Sequence, residues 1–244
     1  MTFSHLKNES RISQFKDMAM PLYPLFLDLT DKTILIVGAG RVGLRKTRGV
    51  IACGPSRILL VDPASPSPEI SGLMAECGTI IYEQRKFEKN DIVGKSLVFA
   101  ATDVSEVNAR IADLCRKGNI FCNVADTPSQ GDCQVPAHFH EKGVTVAVST
   151  GGASPSLAAH LSRELEAFLH GKVGDTVRIL MKLRPKLQAI GMTIDEKRDF
   201  YHSMIHACRE QGISLDDKGN LAMALKKALP PSLHESLQVI LHGF

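Results

Sequence analysis

Between Thr33 and Val124, short runs of β-branched and other apolar residues alternate with stretches in which apolar positions return every three or four residues. The first pattern belongs to strands buried on both faces, the second to amphipathic helices. Strands are expected at Thr33–Val37, Arg57–Val61, Thr79–Tyr82, Leu97–Ala100 and Ile120–Val124, with helices at Val42–Cys53, Glu69–Cys77 and Val104–Arg116. This alternation predicts an α/β unit, a parallel sheet covered by helices on both faces. After Val124 the pattern changes. The loop Asp126–Pro136, containing Pro, Gly and Ser, leads to one more apolar run at Val144–Val148. A second glycine turn then opens a helix, with Ser154 as N-cap, Pro155 in the first turn and an apolar stripe along Leu157–Leu169. From Gly171 onward the spacing predicts helices alone. Thr193 and Glu196 form a capping-box pattern before Lys197–Arg209, and Pro230-Pro231 breaks the chain before a last short helix.

With 244 residues and 44% hydrophobic content, the chain can bury a sizeable core. Its 29 Lys+Arg against 26 Asp+Glu leave a formal charge of +3, too slight to mark a nucleic-acid binder. The apolar runs are far shorter than the roughly 20 residues needed to span a bilayer, so a soluble protein without a membrane partner is expected. Residues 1–20 read as a loose extension, with Met18 and Met20 as alternative translation starts; the stretch lacks the apolar core of a secretory signal. Six cysteines without a Cys-x-x-Cys pair fit a reducing cytoplasm better than a disulfide framework or structural zinc, and most read as small buried hydrophobes.

The strongest chemical signal is Gly38-Ala39-Gly40-Arg41-Val42-Gly43, directly after the first strand and opening the first helix. In that context Gly38 permits a tight turn, Gly40 lets backbone approach a pyrophosphate and Gly43 allows helix and strand to pack closely. Asp62 ends the second strand, where an acid that bonds the adenosine ribose is expected, and no arginine follows to hold a 2′-phosphate. That favours NAD over NADP; alternatively, Asp62-Pro63 simply starts a turn. Ala101-Thr102-Asp103 follows the fourth strand at the ligand edge, with Thr102 assigned to the cofactor and Asp103 expected to cap the next helix. Asp126, in the segment Asn123–Pro128 that leaves the fifth strand, is placed to accept a proton as a hydride departs; a purely structural Asp-Thr-Pro turn is the other reading. The loop Ser149-Thr150-Gly151-Gly152 offers backbone N–H groups and hydroxyls to an anion, alongside Arg45 and Lys46, or is only a turn and a cap. His138 with His140, and His202 with His206, have metal-like spacing but no third ligand nearby in sequence, and no metal site is assigned.

Taken together, Tyr23–Leu29, the Gly38 turn followed by Arg45-Lys46, Ala101-Thr102-Asp103 with Asn108, Asn123-Val124-Ala125-Asp126-Thr127-Pro128 and Ser149–Pro155 resemble the precorrin-2 dehydrogenase family, which includes the N-terminal half of siroheme synthases. The match covers roughly residues 21–170 with the motifs in order. The resemblance implies NAD-dependent oxidation of precorrin-2 to sirohydrochlorin by a homodimer, and several members also insert ferrous iron into sirohydrochlorin. It ties Asp126 to both activities, places Arg41, Val42, Pro63 and Ala64 along the cofactor, and puts Thr150 where some members carry a modified serine. Asn123, Ser149, Thr150 and Gly151 are the candidate substrate contacts. The chain departs from the family at Val61-Asp62-Pro63, Gly131-Asp132-Cys133 and Glu141-Lys142-Gly143.

The expected architecture is therefore an extension over 1–20, a Rossmann-like NAD-binding domain over 21–135, a small dimerisation segment over 136–169 and a C-terminal helical domain over 170–244. One strand and one helix between Val144 and Leu169 cannot close a core, which favours a homodimer built there. The competing function class is a non-catalytic NAD-sensing regulatory module, which needs no carboxylate beside the nicotinamide. A chelatase without NAD conflicts with the intact Gly38 turn.

Overall fold

The strand Thr33–Val37 (β1) reads TILIV, and its last four side chains are buried. Such a strand needs apolar cover on both faces, and the computed structural model supplies it. The structure describes residues 22–171, 173–210, 212–213, 217–237 and 240. The extension expected over 1–20 lies outside them, apart from which the chain forms two compact units, Leu22–Val135 and a second beginning at Pro136.

In the first unit the order is β1, α1 (Arg41–Ile51), β2 (Arg57–Asp62), α2 (Pro68–Glu76), β3 (Ile80–Gln84), β4 (Leu97–Ala100), α3 (Ser105–Lys117) and β5 (Phe121–Val124). Each lies within a residue or two of its expected bounds. All five strands are parallel in the order β3-β2-β1-β4-β5, so the direction of winding reverses between β1 and β4. Val37 pairs with both Val61 and Ala100, and Ala100 with Val124, so the strands end level along one carboxyl edge. A ligand crevice belongs at that edge, at the reversal point. Alternation splits the core in two: Leu35, Val37, Val98 and Cys122 pack with Ile111 and Cys115 of α3, while Ile34, Ile36, Ile58, Leu60 and Phe99 pack with Val50 of α1 and Ile70 of α2.

Beyond β3, Arg85 grips Asp91 through two bonds of 2.9 and 2.6 Å, and the Glu88 backbone N–H adds a third at 2.8 Å. Burial alone would raise the Asp91 carboxyl, but Arg85 and the Glu88 N–H hold it below the usual carboxylate range. Asp91 is 7% exposed, so Arg85→Met strands a buried charge and is expected to cost about 2–3 kcal/mol of stability. Urea denaturation checks this; an unchanged midpoint would mean that the Glu88 N–H suffices.

The second unit opens with a hairpin. Val144–Val148 (β7) forms as expected, but it pairs antiparallel with Ala137–Glu141 (β6), a stretch just past the expected loop to which the sequence pattern assigns no element. The strand is hidden in the sequence because only Ala137 and Phe139 are apolar, alternating with His138 and His140 before Glu141 on a short, mostly polar run. Lys142 and Gly143 both adopt positive φ, as a two-residue hairpin turn requires. Helix α4 (Pro155–Leu169) packs against this hairpin, capped by Ser154 Oγ accepting from the Leu157 N–H. Helices α5 (Gly174–Ala189), α6 (Ile194–Glu210) and α7 (Lys218–Ala228) follow, sharing a core of Ile179, Leu183, Phe200, Met204, Leu221 and Leu225. The Thr193–Glu196 capping box forms, and the Pro-Pro break gives a 3₁₀ turn at Pro231–Ser236. Cys115, Cys122 and Cys208 are buried, but Cys53 is exposed and Cys77 and Cys133 are half-buried, so full burial of the thiols holds for only half of them. No described helix is long and apolar enough to cross a membrane.

Candidate functional site

The turn between β1 and α1 is dictated by its glycines. Gly38 has φ +98°, and a Cβ there would run into the Ala101 carbonyl; a Cβ on Gly43 would run into the Gly38 carbonyl. Both are therefore required by the fold itself. Gly40 differs: a Cβ added to it meets nothing within 4 Å. It is the N-cap of α1, it supplies no side-chain cap, and the first turn holds no acidic residue. The helix thus begins with uncapped N–H groups at the positive end of its dipole, beside open space, and this cradle fits a dinucleotide pyrophosphate. Arg41 is exposed at the first helical position and Val42 is half-buried behind it.

Asp62 closes the same turn from β2. Its carboxylate accepts from the Ala39 N–H at 2.6 Å and from the Ala64 N–H at 2.8 Å. It therefore starts the Pro63 turn, as the second reading of this residue expects, and also braces the glycine turn through Ala39. Tyr82 on β3, which sequence reasoning did not single out, donates from its hydroxyl to the Ala64 carbonyl at 2.7 Å. Burial, and then the nearby Asp62 charge, raise its phenol above the ordinary value. Its only signal in the sequence is an aromatic in a strand, which says nothing of its partner. Pro63 and Ala64 are exposed beside this pair.

At the end of β4 the structure corrects one expectation. Asp103 does not cap α3: the N-cap is Val104, without a side-chain cap bond. The Val104 N–H donates to Thr102 Oγ1 at 3.2 Å, a bond that fixes the approach to the helix without capping it. That hydroxyl donates to Asn108 Oδ1 at 2.7 Å, and Asn108 Nδ2 returns a bond to the Thr102 carbonyl at 3.0 Å. Asn108 is completely buried, so this loop is fixed from below.

Asp126 is exposed just past β5, with Ser105 Oγ donating to its Oδ2 at 2.7 Å. Slight burial pushes its carboxyl upward, but hydrogen bonds from Ser105, Asn108 and the local backbone outweigh this and hold it below the usual carboxylate range. The carboxylate is thus ionised at neutral pH and tied to the same Asn108 that fixes Thr102. Asn123, one turn of pleat deeper on β5, is only 5% exposed, and its Nδ2 donates to the Cys133 carbonyl at 3.0 Å. Gly38, Gly40, Arg41, Val42, Gly43, Asp62, Pro63, Ala64, Thr102 and Asp126 therefore share the carboxyl edge of one sheet, with Asn123 beneath it.

Ser149, Thr150 and Gly151 lie in the second unit, between β7 and α4. Thr150 Oγ1 accepts from the Ser154 N–H at 3.0 Å and donates to the Ser154 carbonyl at 3.1 Å, so its hydroxyl closes its own turn. Ser149 and Gly151 are exposed, the latter with φ +63°. His138 and His140 stand on β6, where His140 Nδ1 bonds Thr145 Oγ1 at 2.9 Å; His202 and His206 lie on α6.

A family model described as putative NAD(P)-binding matches residues 25–137, the unit that carries the glycine turn. Siroheme synthase 1 of Aeromonas salmonicida is 35% identical over 202 residues, 82% of this chain and 42% of that protein. The siroheme synthase of an Enterobacter species is 31% identical over 221 residues, 90% of this chain and 48% of that protein. The chain thus spans less than half the length of these curated relatives. Among solved structures, one described as SirC, precorrin-2 dehydrogenase, has the same fold, with a TM-score of 0.64 and 24% identity over 90% of this chain and 98% of that one.

Proposed function

Because the chain is similar to siroheme synthases over most of its own length and matches an NAD(P)-binding model over residues 25–137, we propose that it catalyses the NAD-dependent oxidation of precorrin-2 to sirohydrochlorin. The observation that carries this reading is the pairing, along one sheet edge, of an uncapped glycine turn at Gly40 with an ionised carboxylate at Asp126. A sensor of cofactor state would need the first and not the second. NAD, when bound, accepts the hydride that the substrate loses. The chain must bind and orient both partners and take the accompanying proton, and Asp126 is the group in place for that. Ser105 and Asn108 hold this carboxylate still and keep it charged. Asp62, braced on Ala39 and Ala64, retains lone pairs for ribose hydroxyls, and its charge opposes a 2′-phosphate, which supports NAD over NADP.

The reading extends to insertion of ferrous iron as a substrate, where Asp126 would take pyrrole protons as the metal enters. It also extends to a homodimer: Leu157, Leu161 and Leu165 recur at helical spacing along α4 and are 48%, 36% and 39% exposed, an apolar stripe suited to a second copy. In the second unit, the exposed Ser149 and Gly151 suit an anionic group, with Thr150 shaping their turn. Six free thiols fit a reducing cytoplasm.

The test is an anaerobic assay of the protein with precorrin-2 and NAD. NADH is expected to accumulate in step with sirohydrochlorin, and faster than with NADP; added ferrous ion should then change the sirohydrochlorin spectrum faster than in a protein-free control. NAD binding without NADH formation would overturn the dehydrogenase reading in favour of a sensor.

A further inference from the structure

Helix α1 carries Arg41, Arg45, Lys46 and Arg48 and no acidic residue. The three arginines are exposed, but Lys46 is half-buried, with its Nζ 5.6 Å from the centroid of the Phe99 ring on β4. Among the described residues no carboxylate pairs with it. Phe99 is the register partner of Asn123 on β5, so their side chains share this face of the sheet. Asn123 Oδ1 is a buried oxygen with no hydrogen-bond partner among the described residues. A half-buried cation without a counter-ion and a buried carbonyl oxygen without a donor are each unfavourable in a closed core. Both neighbour Phe99, but they ask for different partners: the oxygen lacks a donor, and the ammonium lacks the acceptor that an incoming carboxylate would bring.

We propose that Lys46 anchors a carboxylate of the tetrapyrrole substrate, with the Phe99 ring as the floor of that subsite; this rests on the dehydrogenase reading above. The position separates it from the cofactor's own anion. The pyrophosphate cradle is at Gly40, and Asp62 sits on β2, on the opposite side of β1 from Lys46, which lies over β4. The β4–β5 side is where Asp126 stands, and a substrate with many carboxylates must bring some of them close to any group placed there. Burial, and then the neighbouring Arg45, push the Lys46 ammonium down to about 8. An incoming carboxylate relieves that penalty by supplying the missing charge.

The experiment measures binding separately from turnover. Sirohydrochlorin is titrated by absorbance, without NAD, into wild-type protein, Lys46→Met and Lys46→Arg. Met keeps an apolar stem over Phe99 but loses the charge, and should weaken binding roughly tenfold to a hundredfold, with Arg recovering part of the loss. The fully esterified tetrapyrrole should bind wild type and Lys46→Met alike, and NAD affinity by calorimetry should be the same in all three. Equal sirohydrochlorin affinity in wild type and Lys46→Met, with precorrin-2 still oxidised, overturns this inference alone. A matching loss of NAD affinity would reassign Lys46 to the cofactor and overturn it too. If the wild type neither binds sirohydrochlorin nor oxidises precorrin-2, the dehydrogenase reading fails and takes this inference with it.

Discussion

Asp126→Ala is expected to slow precorrin-2 oxidation by roughly a hundredfold to ten-thousandfold while leaving NAD affinity nearly unchanged. The carboxylate stands past β5, away from the glycine turn, and makes no bond to it, so its removal leaves the pyrophosphate cradle intact. What is lost is a proton acceptor held in place by Ser105 and Asn108. Asp126→Asn separates charge from shape: it keeps an oxygen for Ser105 but cannot take a proton, and should be nearly as slow as Ala. Ser105→Ala tests the support. Because the Ser105 bond favours the charged form, its loss raises the Asp126 pKa. A base with a raised pKa is protonated sooner as pH falls, so the acid limb of the kcat profile should move toward neutral pH. Full turnover of both oxidation and iron insertion in Asp126→Ala would remove this residue from the mechanism.

What the sequence shows here follows from whether a residue's constraint is local. Gly38 and Gly43 are legible because the strand-turn-helix connection itself leaves no room for a Cβ, and that connection is written in adjacent residues. The five core strands are legible because they are buried on both faces and so uniformly apolar. Strand β6 was missed because one face is polar and only its pairing with β7 defines it. The Asp103 cap failed for a related reason: aspartate has the right propensity, but the helix starts one residue later with Val104 at the N-cap, in a loop fixed by Thr102 and by Asn108, six residues away along the chain. From the sequence Lys46 reads, with Arg45, as one of a basic pair available to an anion, with nothing to tell the two apart. Only the register that sets Phe99 beside Asn123 gives it a distinct environment, and register between β4 and β5 cannot be read from either strand alone.

Gly40→Asp is expected to abolish NAD binding without unfolding the protein, and the two halves of that expectation have one cause. Nothing lies within 4 Å of a Cβ at this position, so the free protein accepts a side chain. Aspartate is moreover a good N-cap, and its charge suits the start of α1, so thermal stability should hold or rise by about 0.5–1 kcal/mol. The cap bond it forms consumes the N–H groups that a pyrophosphate would use and places a like charge against it, a penalty of at least about a hundredfold in affinity. Calorimetric titration with NAD, alongside thermal denaturation, reads both effects. Gly43→Ala is the contrasting control: its Cβ meets the Gly38 carbonyl, so the variant should lose stability as well as cofactor. A normal NAD titration for Gly40→Asp would show that the cofactor does not lie on this turn, and the placement of the dehydrogenase site along the carboxyl edge would fall with it.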